Sequence, residues 1–378
     1  MKEIKNNISK WMYWFVFAVS IIIVYKTLDN FGIIAGAIGR FIDIIAPVLG
    51  GILIAYILHI PASRVEKLFK KSKNKIIKKQ ASKIGILFAY IVAIIVIAII
   101  IKLVLPTVIS SIVELVNNFQ GYYQRLLDEI SKLPEDSFWK SEQVKNILSS
   151  IQTIDLTQII DVSTIMKYAK GALSLVTGVV DIFVMIVVSV YTLLEKEKML
   201  SFMHRLMSAV FDEEACEKIG KYVNDSNQIF CKFLSSQVLD AILVGILATI
   251  VMSVIGVKYA VLLGFMIGLF NIIPYFGAIV AVAIAILITL ITGGISQAIW
   301  MAVSVIILQQ IDANIINPKI VGNSLEISPL LIIASVTIGG AYFGVLGMFL
   351  AVPVAALLKI VIDDFIEVKA RKKLIKSK

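Results

Sequence analysis

The chain has 378 residues, of which 59% are hydrophobic and 16% charged, with a mean hydropathy of +0.92. That is more apolar surface than a soluble fold of this length can bury, so a soluble globular protein is excluded. The net charge of +10 does not point to nucleic acid. The basic residues stand between apolar runs, as the positive-inside rule expects, and the lipid bilayer is the expected partner.

In chain order, the first candidate span is Trp11 to Leu28. It follows Lys2, Lys5 and Lys10 and lacks a small-residue cleavage site, so it reads as an uncleaved helix. Further spans are Phe41 to Ile60, Ile84 to Leu105, Ala172 to Leu194, Leu234 to Val257 and Ile295 to Ile311. Each is near the roughly 20 residues that cross a bilayer as a helix. Ser63 to Lys83 carries nine basic residues against Glu66 alone, which marks it cytoplasmic. The basic residues from Lys369 to Lys378 place the C-terminus on the same side, and counting spans back from the basic loop puts the N-terminus there too.

Two further apolar runs do not fit a single crossing. Tyr259 to Ile291 is 33 residues without a charge, interrupted at Asn271-Ile-Ile-Pro274-Tyr275-Phe-Gly277. Leu330 to Leu358 is 29 uncharged residues containing Gly339, Gly340, Gly344 and Gly347. As one helix the second would be about 44 Å long, against a hydrocarbon core of roughly 30 Å. Each run is expected to enter and leave on one side, as a re-entrant hairpin or a pair of crossings. In transporters such breaks lie at the substrate or ion site.

The expected fold is therefore an all-α integral membrane protein. It has about six full transmembrane helices and two Gly/Pro-broken helical hairpins, eight or more membrane segments in all. Thr107 to Gly171 forms a small external helical cap, with Ile112, Leu115, Val116, Phe119 and Tyr123 at helical spacing. The expected division is 1–106 (helices and basic loop), 107–171 (cap), 172–362 (second membrane region) and 363–378 (basic tail). Glu195 to Lys232 reads as an amphipathic cytoplasmic segment, with Phe202, Leu206, Val210 and Phe211 suited to the interface.

Enzyme chemistry finds no support. His59 and His204 are the only histidines, so no HExxH site exists, and no GxxxxGK[ST] phosphate loop occurs. Cys216 and Cys231 match no metal spacing. No catalytic residue, metal or cofactor is expected.

The pathway candidates are polar or backbone-shaping residues inside apolar runs. A carboxylate at the bilayer centre costs on the order of 2.5 to 3.5 kcal/mol even on insertion scales. Asp181 lies nine residues into its span, about 14 Å deep, and Asp240 six residues in, about 9 Å. Proton or cation coupling and a hydrogen-bonded packing carboxylate both stay open for Asp181; packing is preferred for Asp240. Asn271, Pro274, Tyr275 and Gly277 form the first break, whose freed carbonyls could face a cation, or which could be a plain turn. Gln309, Gln310, Asp312, Asn314 and Asn317-Pro318 close the sixth span, either lining a mouth or ending a helix in water. Ser328-Pro329 offers an N-cap and a first-turn proline to the last run. Its glycines allow either close helix contact or a pore-lining break.

Ordered motifs then make the pattern specific. VYTLLEKEK from Val190, LSSQVLDAILVG from Leu234, NIIPYFGA from Asn271, INPKIVGNSLEISPLL from Ile316 and IGGAYFGVLGMFLAVPVAALL from Ile338 occur in sequence. With IPASRVEKLFKK from Ile60, the set resembles the autoinducer-2 exporter family of bacterial permease-like proteins, from about Trp11 to Val368. The resemblance implies a multi-pass, homo-oligomeric permease of the bacterial cytoplasmic membrane. It moves a small polar solute, in some members the quorum-sensing signal, while others carry out sodium or proton antiport. The residues of this chain that match the family's marked positions are Gln237, Pro274, Tyr275, Gly277, Pro318, Gly322, Pro329, Gly339, Gly344, Gly347 and Pro353. The expected pathway set adds Asp181, Asp240, Asn271, Gln309, Asn317 and Gly340. A non-transporting membrane scaffold is the alternative from another class.

Overall fold

A computed structural model describes residues 12, 14–22, 25–26, 29–152, 179–321 and 327–376. Among them there is no strand. The helices in order are α1 (Phe31–Lys70), α2 (Lys75–Lys79), α3 (Ala81–Ile99), α4 (Leu105–Ser131), α5 (Glu142–Gln152), α6 (Val179–Leu194) and α7 (Lys196–Val210). They continue as α8 (Glu213–Ile255), α9 (Ala260–Phe270), α10 (Phe276–Ile311), α11 (Asn317–Val321) and α12 (Pro329–Lys376). Among the described residues, five stretches are long and apolar enough to cross a membrane: Asp43–Lys70, Ala81–Ser131, Glu213–Ile255, Phe276–Ile320 and Pro329–Ala370. Val180–Leu194 and Ala260–Phe270 are shorter apolar helices.

The described residues form two compact units. Residues 1–54 and 177–189 make the first; 55–176 and 190–378 make the second. In the first, Gly51 of α1 comes so close to α6 that an added Cβ would lie 2.7 Å from the Met185 carbonyl oxygen. Small residues allow such backbone approach between membrane helices.

Several expected boundaries move. The second span does not stop at Ile60, because α1 continues to Lys70. Much of the basic stretch Ser63 to Lys83 is therefore helical, and Glu66 and Lys70 pair at 2.7 Å one turn apart. The third span does not end at Leu105. It runs on through a π-helical segment, Ile100–Val104, into α4 as one 51-residue stretch. Pro106 explains that segment: it has no N–H for the carbonyl four residues back, and a wider turn relieves the clash. The span from Leu234 sits within the 43-residue α8. Residues 153–178, which contain the rest of the cap and the start of the span from Ala172, lie outside the described residues, as does much of Trp11 to Leu28.

The described part of Thr107 to Gly171 is helical, as its periodicity predicts. Leu115, Phe119, Tyr122, Leu126 and Ile130 make the buried stripe of α4 at i, i+4, i+7 spacing. They share one apolar cluster with Val144 and Leu148 of α5, Leu263 and Ile267 of α9, and Met301 and Val305 of α10. Tyr123 donates to the Leu148 carbonyl at 3.1 Å, fixing α5 on α4. At the corner between α8 and α9, Lys258 pairs with Glu114 at 2.8 Å and lies over the Tyr122 ring, 4.8 Å from its centroid. Hydrogen bonds to Glu114 and then Tyr122 push the Lys258 ammonium above the ordinary lysine range. Tyr122 and Tyr259 share a buried hydroxyl hydrogen bond of 2.9 Å.

Both broken runs are hairpins. In the first, α9 packs back along α8, with Gly245 against Gly268 and Gly264 against Thr249. A turn at 271–275 then reverses the chain, and Tyr275 adopts φ 60°. The end of α9 lies so near the start of α10 that a Cβ on Gly277 would stand 1.7 Å from the Phe270 carbonyl oxygen. α10 bends again at Gly294 (φ 80°), where Glu129 of α4 accepts from the Ile295 N–H at 3.4 Å. In the last run the reversal is at Gly344 (φ 61°, ψ −148°) and not at Gly339-Gly340. Residues eight apart on a straight helix are about 12 Å apart. Here a Cβ on Gly339 would lie 2.6 Å from the Gly347 carbonyl, so 329–343 and 345–376 are two arms in contact. Ser328 caps the first arm, accepting from Leu331 N at 3.3 Å.

Two outcomes follow from this packing. Gly277→Ala drives a Cβ into backbone that cannot yield, and should destabilise the folded protein by about 2 to 4 kcal/mol. Gly121→Ala, in a helix with nothing within 4 Å, should be neutral or stabilise by up to about 1 kcal/mol. Thermal unfolding in detergent reads both. Tyr259→Phe removes the buried hydroxyl bond and should cost about 1 kcal/mol; an unchanged midpoint would show that the corner does not depend on it.

Candidate functional site

The site is built where three interruptions of regular helix meet. α9 has 11 residues, about 16 Å of rise, so it returns only part-way along α8, which has 15 residues beyond Asp240 before it ends. The turn at 271–275 is thereby set against the middle of a helix. From it α10 runs out to Gly294, and its second arm, 295–311, returns. That arm ends in a second π-helical segment, Asp312–Ile316. Pro318 follows two residues after the segment, as Pro106 follows the first, and the same missing N–H explains both. The sixth span is thus not closed at Asn317-Pro318; helix continues into α11.

α8 uses the polar residues of its LSSQVLD stretch one by one. Ser235 donates to the Tyr56 carbonyl of α1 at 2.8 Å, and Ser236 to the Ile320 carbonyl of α11 at 3.2 Å. Gln237 Nε2 donates to the Asn271 carbonyl at 2.8 Å. One turn later, Asp240 Oδ2 accepts from Asn271 Nδ2 at 2.9 Å. Residues i and i+3 of one helix thus hold both the backbone and the side chain of Asn271.

This corrects the expectation of freed carbonyls at the first break. Asn271 O is taken by Gln237, Phe270 O by Ile273 N at 2.9 Å, and Ile273 O by Gly277 N at 3.0 Å. Side chains carry the polar character of the site. Asp240 is 0% exposed, Gln237 3%, Asp312 5% and Asn271 7%. The carboxyl groups of Asp240 and Asp312 adjoin, with the Asn271 and Asn317 amides in reach of the pair. Asp240 Oδ1, Asp312 Oδ1 and Gln309 Nε2 are buried and have no hydrogen-bond partner among the described residues.

The expected pathway residues therefore divide. Gln237, Asp240, Asn271, Gln309 and Asn317 gather around or beside this cluster, while Pro274, Tyr275 and Gly277 shape the turn that presents it and Pro318 the π-helical segment. Asp240 is hydrogen-bonded as a packing carboxylate would be, yet one of its oxygens is left over. Asp181 belongs to the first unit, near the start of α6, and is exposed. Pro329 opens α12, whereas Gly339, Gly340, Gly344 and Gly347 serve the second hairpin, the first two and the last as contacts between its arms or with Met348. Gly322 lies outside the described residues. In the sequence Asp312 reads only as part of a polar helix end. The signal that sets it apart is an acid six residues before a proline, on a helix that the proline bends without ending.

A cleft of about 410 Å³ lies elsewhere, lined by Ile255, Gly293, Ser296, Gln297, Trp300 and Ser304. Gln297 donates there to the Gly256 carbonyl at 2.9 Å. It sits at the α8 to α9 corner, away from the carboxyl pair by the length of α9.

Comparison with known proteins agrees with this architecture. The family described as AI-2E family transporter matches residues 12–367. YueF of Bacillus subtilis, named a candidate transport protein, is 26% identical over 361 residues, covering 94% of this chain and 93% of its own. PerM of Escherichia coli K12, named a candidate permease, is 26% identical over 337 residues, 86% and 89% of the two chains. YrrI of Bacillus subtilis, also named a candidate transport protein, is 28% identical over 200 residues, and that match spans 53% of this chain and 56% of the relative. With nearly the whole of its length matched, the chain is a multi-pass membrane protein belonging to the AI-2E transporter family.

Proposed function

We propose that the protein is a permease that moves a small polar solute, the autoinducer-2 signal among the candidates, across the bacterial cytoplasmic membrane. The observation that carries this reading is the convergence of the 271–275 turn and the 312–316 π-helical segment on buried polar side chains within the length of α8. Helical backbone is interrupted at membrane depth only where protein or a water-lined cavity takes over its hydrogen bonds. Interruptions placed at one level by two hairpin arms are the arrangement that transporters use to hold a solute. The relatives named for transport or permease activity agree with it. Inward-facing termini, an outward-facing cap and assembly from several copies belong to the same proposal.

Cation/proton antiport is the second reading, favoured by the adjoining Asp240 and Asp312 carboxyls. Asp181, exposed near the start of α6, does not carry it. The two readings share one scaffold and differ in whether the ion or an organic solute is the cargo.

Flux into proteoliposomes of purified protein, with a panel of candidate signals and cations, tests the proposal. Pro274→Ala and Gly340→Ala, checked for insertion and monodispersity, should each lower the flux at least about tenfold, by shifting the turn or the hairpin. Asp181→Asn should leave it near the wild-type value. Full flux in both hairpin variants would remove the broken runs from the pathway.

A further inference from the structure

We infer that the cleft at the α8 to α9 corner seats one membrane lipid by the ester carbonyls of its glycerol backbone, with the acyl chains running down the exposed side of the second arm of α10. The site stands apart from the carboxyl cluster and does not rest on the permease reading.

The lining has a built polarity. Ser296, Gln297, Trp300 and Ser304 recur at three- and four-residue spacing, so they share one stripe of α10. The same stripe continues into Ile307 and Ile311, which are 54% and 42% exposed. Its polar part begins at the level of Ile255, where the apolar stretch of α8 ends and Gly256 turns the chain with φ 81°. From Ser296 to Trp300 the rise is about 6 Å, within the roughly 5 to 7 Å of one interfacial layer. Polar at the helix end and apolar further in, the stripe has the order of a lipid molecule.

The hydroxyl groups mark this stripe. A serine or threonine in an apolar helix commonly donates to the backbone of its own helix. Thr249, Thr292, Ser335 and Thr337 do so at 2.8, 2.7, 2.9 and 2.8 Å, to carbonyls three or four residues back. Ser296 and Ser304 have no such bond, nor any other partner among the described residues. A hydroxyl turned to hydrocarbon without a partner bears its desolvation cost. Gln297 differs, because its Nε2 donates to the Gly256 carbonyl at 2.9 Å and closes the end of α8. Its Oε1 lies over Gly293, where any side chain would displace it.

Donors without acceptors, the lack of formal charge and an exposed indole define the ligand. No lining residue is titratable, so neither a phosphate nor an ammonium group is matched here. Ester carbonyls are neutral acceptors at the interfacial level, and a diacyl lipid carries one for each serine hydroxyl. Trp300, 65% exposed, is of the residue type that borders membranes with its ring against the chains and its N–H toward the polar layer. At about 410 Å³ the cleft has the size of a small-ligand site, enough for the glycerol-ester segment. A free solute would use only the polar end; Ile307 and Ile311 continue the stripe for an amphiphile.

Fluorescence quenching by lipid reads the site. Full-length protein carrying Trp11→Phe, Trp14→Phe and Trp139→Phe is reconstituted in dibrominated phosphatidylcholine, which quenches Trp300. Unbrominated diester or diether phosphatidylcholine of equal chain length is then titrated in. The diester lipid should restore fluorescence at about one-fifth the mole fraction that the diether needs, the worth of one hydrogen bond. Ser296→Ala with Ser304→Ala should abolish that preference while Trp300 stays quenched, and phosphatidylglycerol in both series should leave it unchanged. Equal recovery by the two lipids, which shows passing contact with bulk lipid, overturns the inference. Absence of quenching, the result when a second copy or a water-borne solute covers the cleft, overturns it too, as does a preference that follows headgroup charge in place of the ester linkage. Should the Phe variant fail to insert, native mass spectrometry of the delipidated protein, exposed to an equal mixture of the two lipids, is read in its place. Diester lipid retained over diether, and lost in the serine variant, supports the site; equal retention or none rejects it.

Discussion

The structure around the candidate site depends on the double hold that α8 places on Asn271. A chain reversal within a membrane span leaves peptide groups without helical partners, each costing several kcal/mol in hydrocarbon. The Asn271 carbonyl would be such a group, and Gln237 satisfies it. The amide of the same residue then reaches Asp240, so one asparagine links the α8 backbone register to the position of the turn. Close packing of α8 on α9 through Gly245, Gly264 and Gly268 makes this possible, because bulkier residues would hold the two helices too far apart for these hydrogen bonds.

The two prolines show how the same element can have different meanings. Pro106 and Pro318 each stand two residues beyond a π-helical segment, and neither stops its helix. Before Pro106 the widened turn carries the α3 helix on into α4, where it meets the Tyr122, Tyr259 and Lys258 corner. Before Pro318 it turns an aspartate inward. An identical backbone device thus extends a helix in one place and presents a carboxyl group in the other, and the residue at the start of the widened turn, Ile100 or Asp312, makes the difference.

Much of the fold was legible in the sequence because its signals are local. Uncharged runs too long for one crossing, with Gly or Pro inside, imply hairpins from length alone, and both runs prove to be hairpins. The stripe of α4 was legible for the same reason: Leu115, Phe119 and Tyr123 recur at helical spacing. Helix ends were less legible. Lys-rich residues after Ile60 read as a loop, but lysine is a good helix former, and Glu66 with Lys70 adds a one-turn pair. The point of reversal in the last run was also hidden among four glycines. Only a left-handed backbone position distinguishes Gly344, whereas Gly339 and Gly347 answer to contact across the hairpin. The site was least legible of all, since depth along a single span ranks Asp181 above Asp240. Burial and partners come from segments 31 and 72 residues away in sequence, and no window along the chain contains them together.

Why the fold places an acid on each of two segments at one level calls for more than packing. Buried ionic or polar groups can often be exchanged for apolar side chains of similar size without loss of stability, and sometimes with gain. A leucine at either aspartate position would spare the desolvation of a carboxyl group and the repulsion of its neighbour. Asn271 could still be held through its carbonyl by Gln237. The second carboxyl therefore adds a desolvation cost to a turn that Gln237 and Asp240 already hold.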